Sequence, residues 1–236
     1  MARRGTSKTL GGDVYSQLRD AILRGQVRPG ERLKPTVLRE EYGVSISVVR
    51  EVLTKLAEQR LVVAEPNQGF SVAPLSRSHL EELVEARCSI EGLAVRMSVT
   101  RGDLEWESRV LAVHHRLDGT PARLDGPEKA INPEWISLHA AFHATLLAAC
   151  GNGIILDVCA SLFDMAELYR RWSETGSSTV ARDAAQEHRD LAAAALRHDA
   201  ELAEKLLVQH IRTTRDMALA AIPALAEEAA GEPAEA

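Results

Sequence analysis

One set of side chains in this sequence has the types and spacing to do metal chemistry. His139 and His143 stand four apart in WISLHAAFHATLL, so on a helix they share one face and can hold one ion between them. Ile136, Phe142 and Leu146 share that side. His188 falls in step with Ala184, Leu191 and Ala195, and His210 with Leu206, Leu207, Thr214 and Met217, which puts both on stripes expected to be buried. A single histidine on such a stripe is more often a core residue satisfied by a hydrogen bond. Four facing inward weigh toward a metal centre. His79, His114, His115 and His198 lie near helix ends or among polar residues and have no such setting. Arg87 lies on the stripe of Leu83, Val84, Ile90 and Ala94, where a guanidinium needs a carboxylate partner. That partner is either Glu91, one turn later, or an anion from outside.

The elements that must position these groups are helices. From Ser78 onward Leu, Val and Ala recur at three- and four-residue spacing, which predicts helices over about 78–100, 104–117, 133–150, 153–173, 180–197 and 199–222. Breaks fall at Gly102, Gly119-Thr-Pro121, Gly151-Asn-Gly153 and Gly176. Before Ser78 the pattern differs. Residues 13–25 read as a helix, Val27-Arg28-Pro29-Gly30 as a turn, and Pro35 to Tyr42 as a short helix broken by Gly43. Ser45 then offers a cap for a helix carrying Val48, Val49, Val52, Leu53 and Leu56, a helix-turn-helix outline. Leu61 to Glu65 and Phe70 to Ala73 are strand candidates around Pro66-Asn67-Gln68-Gly69, so a hairpin wing follows.

The fold class expected is mainly α: an N-terminal winged helix-turn-helix of three helices plus a β-hairpin wing, then an all-α antiparallel bundle. The domains expected are 1–75 for the winged helix, 76–226 for the bundle, and a disordered tail over 227–236.

Charge divides at the same place. Residues 1–75 hold 12 Lys/Arg against 8 Asp/Glu and the remainder 16 against 26, within a net charge of −6. A basic front on an acidic body fits a front half that meets a polyanion. Only nine residues are aromatic, which argues against single-stranded nucleic acid stacked on rings and leaves a duplex. Three cysteines without a CxxC pair indicate neither a disulfide framework nor a cysteine-built zinc site and fit a reducing cytoplasm. The longest apolar run, Met217 to Ala226, contains Pro223 and is too short to span a membrane, and the N-terminus lacks the apolar stretch of a secretory signal.

Residues 14–72 closely resemble the winged-helix domain of GntR-family bacterial transcription regulators. The resemblance is carried by Gly25…Pro29-Gly30-Glu31-Arg32-Leu33, Tyr42-Gly43-Val44-Ser45, Val49-Arg50-Glu51-Val52-Leu53…Leu56 and Pro66-Asn67…Gly69-Phe70. The all-helical remainder is similar to the FadR-type branch, whose effector domain is called FCD, so nearly the whole chain is covered.

The resemblance implies that the second helix of the motif enters the major groove. Ser45, Ile46, Ser47 and Arg50 then face base edges; Arg50 can donate to guanine or phosphate, and Lys34 and Lys55 can reach phosphates. Gln68 and Gly69 would approach the minor groove, with Arg3, Arg4 and Lys8 as a basic arm. The ordinary alternatives are a salt bridge for Arg50 and solvated charges for Lys34 and Lys55. The sequence departs from the FadR-type pattern at Ile46 and Thr36, where arginines commonly contact DNA. Ile46 cannot pair with guanine but can pack on a thymine methyl, so a different operator follows.

The FCD metal motif joins a carboxylate and a histidine four apart on one helix to two histidines from later helices. Here His139 stands in the place of the Asp, with His143, His188 and His210 matching the rest. Neutral imidazoles suit zinc, nickel, cobalt or copper better than magnesium or calcium and disfavour manganese, with zinc or nickel preferred; affinity should fall below about pH 6. Alternatively His139 stands off the metal and hydrogen-bonds the effector. The resemblance further implies a small organic-acid effector beside the metal, clamped by Arg87, a homodimer on palindromic double-stranded operator DNA, and repression more often than activation. The rivals are a metal-dependent hydrolase, for which Glu91 is the only acidic residue on an inward stripe, and a sensor in which the ion is the signal.

Overall fold

A computed structural model of the chain describes residues 10–65, 69–125, 131–173 and 182–222. Pro66, Asn67, Gln68, the arm with Arg3, Arg4 and Lys8, and the tail 227–236 lie outside them. The chain forms two compact units, one of residues 10–80, 164–173 and 218–222, the other of residues 81–163 and 182–217.

The first unit contains α1 (Leu10–Leu23), β1 (Arg32–Leu33), α2 (Pro35–Tyr42), α3 (Ile46–Glu58), β2 (Val62–Glu65) and β3 (Gly69–Val72). Pro35 opens α2, where its missing N–H is no loss. Gly43 ends α2 at φ 65°, a left-handed conformation that costs other L-residues energy, and its N–H returns to the Arg39 carbonyl. Two residues later Ser45 caps α3 by accepting from the Val48 N–H. The turn between the helices is thus set by local chemistry. Leu18, Ile22, Leu53, Leu56, Leu61 and Val72 fill the core, each such burial contributing about 1.5–3 kcal/mol. The expected hairpin is present, with Val62 opposite Val72 and Glu65 opposite Gly69. It carries a third strand that the sequence pattern did not disclose, since β1 has two residues and pairs with the other side of β3.

The boundary expected at residue 75 describes the sequence better than the packing. Leu168 lies inside the winged-helix core, and Trp172 packs against it. Arg19 of α1 donates twice to Asp164, at 2.5 and 3.2 Å. Leu168, Trp172 and Asp164 belong to α7 (Gly153–Ser173), so part of a distant helix completes the winged-helix unit.

The second unit is a helical bundle built from α4 (Arg77–Arg101), α5 (Leu104–Gly119), α6 (Pro133–Leu147), α8 (Ala184–Leu196), α9 (Ala200–Ala221) and the first part of α7. Asp103, Asn132 and Asp183 cap α5, α6 and α8. α6 stops at Leu147 and passes into a 3₁₀ turn over Ala148–Cys150, three residues short of the expected helix end. Trp106 is fully buried and donates its indole N–H to the Thr145 carbonyl, fixing α5 on α6. Gly102 is required beside it, because a Cβ there would lie 2.2 Å from the Trp106 ring.

Candidate functional site

α6, α8 and α9 bring together the four histidines singled out by spacing. One possible ligand atom from each of His139, His143, His188 and His210 lies within 4.8 Å of the others, and all four residues are buried. Ring centroids are 4.6 Å apart for His139 and His143, and 5.0 Å apart for His143 and His210. Nε2 of His143 is buried without a hydrogen-bond partner. Leaving such an atom unsatisfied costs about 1–3 kcal/mol. Burial, reinforced by the neighbouring His210 and His188, holds the pKa of His143 well below its ordinary value. Its ring is therefore neutral near pH 7, as a metal ligand must be. An orphaned lone pair among three further imidazoles fits a transition metal and disfavours magnesium and calcium.

Nδ1 of His210 lies 2.8 Å from a carboxylate oxygen of Glu187, which has only lone pairs to offer; a proton on Nδ1 directed at it leaves the lone pair on Nε2. Arg182 holds Glu187 by two bonds of 2.6 and 3.0 Å and is itself tied to Thr214 at 3.0 Å. An arginine nitrogen also lies 2.9 Å from Nδ1, and both donors share the same Glu187 oxygen. Such outer-shell carboxylates raise ligand basicity, and their loss typically lowers metal affinity 10- to 100-fold. The same loss is expected for Glu187→Gln in competition with a chromophoric chelator; an unchanged dissociation constant would remove Glu187 from the centre.

Aromatic rings surround the cluster. Trp135 stacks on His139 at 4.9 Å, and Phe163 lies 5.8 and 5.5 Å from His139 and His143. Arg87 sits with its guanidinium 5.6 Å from the Phe163 centroid. Of the two partners left open for Arg87, the structure holds Glu91, with bonds of 2.6 and 3.1 Å between two buried side chains.

Glu187, Arg182, Trp135 and Phe163 escaped the sequence reading because only tertiary packing brings them to the histidines. His114 was set aside by sequence, yet its ring lies 5.6 Å from Phe142 and it lines a cavity of about 240 Å³ with Trp135 and His188. Its Nε2 is buried without a hydrogen-bond partner, and burial lowers its pKa.

The second site is the outer face of α3. Val49, Val52, Leu53 and Leu56 turn inward, leaving Ser45, Ile46, Ser47, Arg50 and Lys55 exposed. Arg50 follows Ile46 by one turn and so shares its face. Lys55 pairs with Glu51 at 2.9 Å, which makes it a weaker candidate for phosphate than its charge alone implies. Lys34 and Thr36 are exposed at the start of α2, and Gly69 is exposed at the start of β3 with φ 91°.

Comparison with known proteins gives the family of each part of the chain. Residues 10–72 match the family described as bacterial regulatory proteins, gntR family, and residues 82–213 match the FCD domain. The HTH-type transcriptional repressor GlaR of Escherichia coli (strain K12) is 35% identical over 204 residues, covering 85% of this chain and 92% of that protein. The HTH-type transcriptional regulator BphR of Paraburkholderia xenovorans (strain LB400) is 33% identical, over 85% of this chain and 82% of that protein. Among solved structures, E. coli McbR/YncC superposes with a TM-score of 0.73 at 20% identity, covering 89% of this chain and 97% of that one, a likeness of fold. A winged helix with an exposed arginine-bearing reading helix, joined to an FCD bundle over most of its length, makes this chain a member of the GntR family of bacterial DNA-binding transcription regulators.

Proposed function

We propose that the protein is a homodimeric repressor whose operator affinity is set by a small organic acid bound beside a metal at His139, His143, His188 and His210. The observation that carries this reading is the convergence of four buried imidazoles, one with an orphaned nitrogen, in a chain whose other unit is a DNA reader. Family and relatives are transcription regulators, and no helix among the described residues is long and apolar enough to cross a membrane.

Charge supports an anionic effector. Arg87 is balanced by Glu91 and Arg182 by Glu187, and burial keeps the His143 imidazole neutral near pH 7. A divalent ion would leave the buried centre with excess positive charge, because no carboxylate stands among the four ligands. When bound, the metal supplies an electrophilic open position for a carboxylate. An incoming acid competes with Glu91 for Arg87, while Phe163 and Trp135 exclude water. α7 contributes Phe163 beside the histidines and, at the next residue, Asp164, which pairs with Arg19 of α1. Exposed apolar side chains on the bundle, Leu104 and Leu111 on α5 and Ile154 and Val158 on α7, support dimerisation through this unit. A two-fold dimer pairs with a palindromic operator.

The test is operator binding by metal-loaded and chelator-stripped protein across a panel of two- to six-carbon mono- and dicarboxylic acids. An acid should change affinity by about 5- to 150-fold in the loaded protein only, a coupling of about 1–3 kcal/mol. A full response to metal without any acid would make the ion itself the signal, and no response in either form would overturn the proposal.

A further inference from the structure

We propose that Ile46 reads the methyl group of a thymine in the major groove, so that each operator half-site carries a T·A pair within about two base pairs of the G·C pair read by Arg50. This rests on α3 being the element that enters the groove. Among the described residues of the first unit two large apolar side chains stand in water, Ile46, 39% exposed, and Val37, 54% exposed, and of these Ile46 is the one on the outer face of α3, one turn before Arg50. Ile46 is not displaced from a core position, because the opposite face of α3 supplies Val49, Val52, Leu53 and Leu56 to a filled interior. Helix formation gives no reason for it either, since a β-branched residue is a poor helix former.

The polar groups around Ile46 are engaged. The Ser45 hydroxyl accepts from the Val48 N–H, and the Ser45 and Ser47 hydroxyl oxygens are bonded at 2.8 Å. The first turn of α3 therefore offers an aliphatic surface flanked by hydroxyls that already hold each other.

Of the base edges displayed in the major groove, thymine alone carries an apolar group, its C5 methyl. Against the polar edges of guanine, adenine or cytosine, Ile46 would strip water from donors and acceptors and return no hydrogen bond. The side chain thus both attracts thymine and rejects the alternatives. Arg50 lies four residues on along the same face, a rise of about 6 Å, or roughly two base steps of about 3.4 Å. Hydrophobic contact and arginine donation then read neighbouring positions of one half-site.

The experiment begins with the full-length protein and half-sites selected from a random duplex library. Each selected thymine is then replaced by uracil, which removes the methyl group and nothing else. One position should lose about 3- to 5-fold in affinity, the effect of one buried methyl group. Ile46→Ala should abolish the thymine–uracil difference there while keeping the guanine preference and an unchanged melting temperature, and Ile46→Val should keep most of the difference. Equal binding of all uracil-substituted sites, or a difference that persists in Ile46→Ala, would overturn the assignment. Selection of no sequence at all would overturn it too, and would do so by refuting α3 as a reading helix, a result distinct from a selected half-site indifferent to uracil.

Discussion

Arg50→Ala is expected to lose specific operator binding while keeping the fold and most non-specific affinity for DNA. Arg50 is exposed on the outer face of α3, and no hydrogen bond or ion pair of its side chain occurs among the described residues. The core face is unaffected, so the melting temperature should not move. A bidentate arginine–guanine contact discriminates by about 1–3 kcal/mol, and the proposed two-fold dimer would lose two of them, a fall of roughly 30-fold or more. Phosphate contacts remain and keep binding salt-dependent, with a log–log slope near −0.9 per neutralised phosphate. If Arg50 meets guanine, specificity relaxes at one base position; if it meets phosphate, affinity falls evenly across sequences and the slope changes by about one. Wild-type footprints from the variant would remove α3 from the interface.

The second large effect is on metal. His143→Ala should leave the purified protein with little or no bound ion. Structural zinc sites bind with about 10–16 kcal/mol over four ligands, so one ligand accounts for about 3 kcal/mol, or roughly 100-fold in affinity. The wild-type melting temperature should rise with metal, since four converging imidazoles favour the ion in the folded chain over the unfolded one, whereas the variant should melt like chelated wild type with or without it. Full retention of metal by the variant would make His143 a core histidine.

Acid should act in the same direction as the substitution. Because burial holds the pKa of His143 below its ordinary value, folded and unfolded chains are both neutral there above about pH 6.5. As pH falls through that value the unfolded chain takes up a proton that the folded chain refuses. Stability therefore declines toward acid from about pH 6.5, whereas the His143 ring stays available to a metal until pH falls to its lower folded-state value.

Much of this was legible from local signals. Pro35, Gly43 and Ser45 each act on the backbone next to them, so the helix-turn-helix could be placed almost to the residue. The periodicity of α6, α8 and α9 assigned four histidines to buried faces, and geometry brought them to one point. What sequence left open is what depends on distant packing. β1 is too short to show a period, and it exists because Arg32 and Leu33 find β3. Leu168 reads as one more apolar residue of a bundle helix, yet it completes the winged-helix core. Glu187 looks like a solvated charge near a helix start, and becomes the group that orients His210 because Arg182 and α9 surround it. For Arg87 the pattern gave two partners, and packing chose Glu91.

The central claim is that the bundle of this regulator holds a transition metal on imidazoles. X-ray absorption at the metal edge of the loaded, full-length protein tests it most directly. The expected spectrum has a shell of nitrogen or oxygen with the multiple scattering of three or four imidazoles and no sulfur; a sulfur shell, or a protein that retains no metal after loading and desalting, would contradict imidazole ligation.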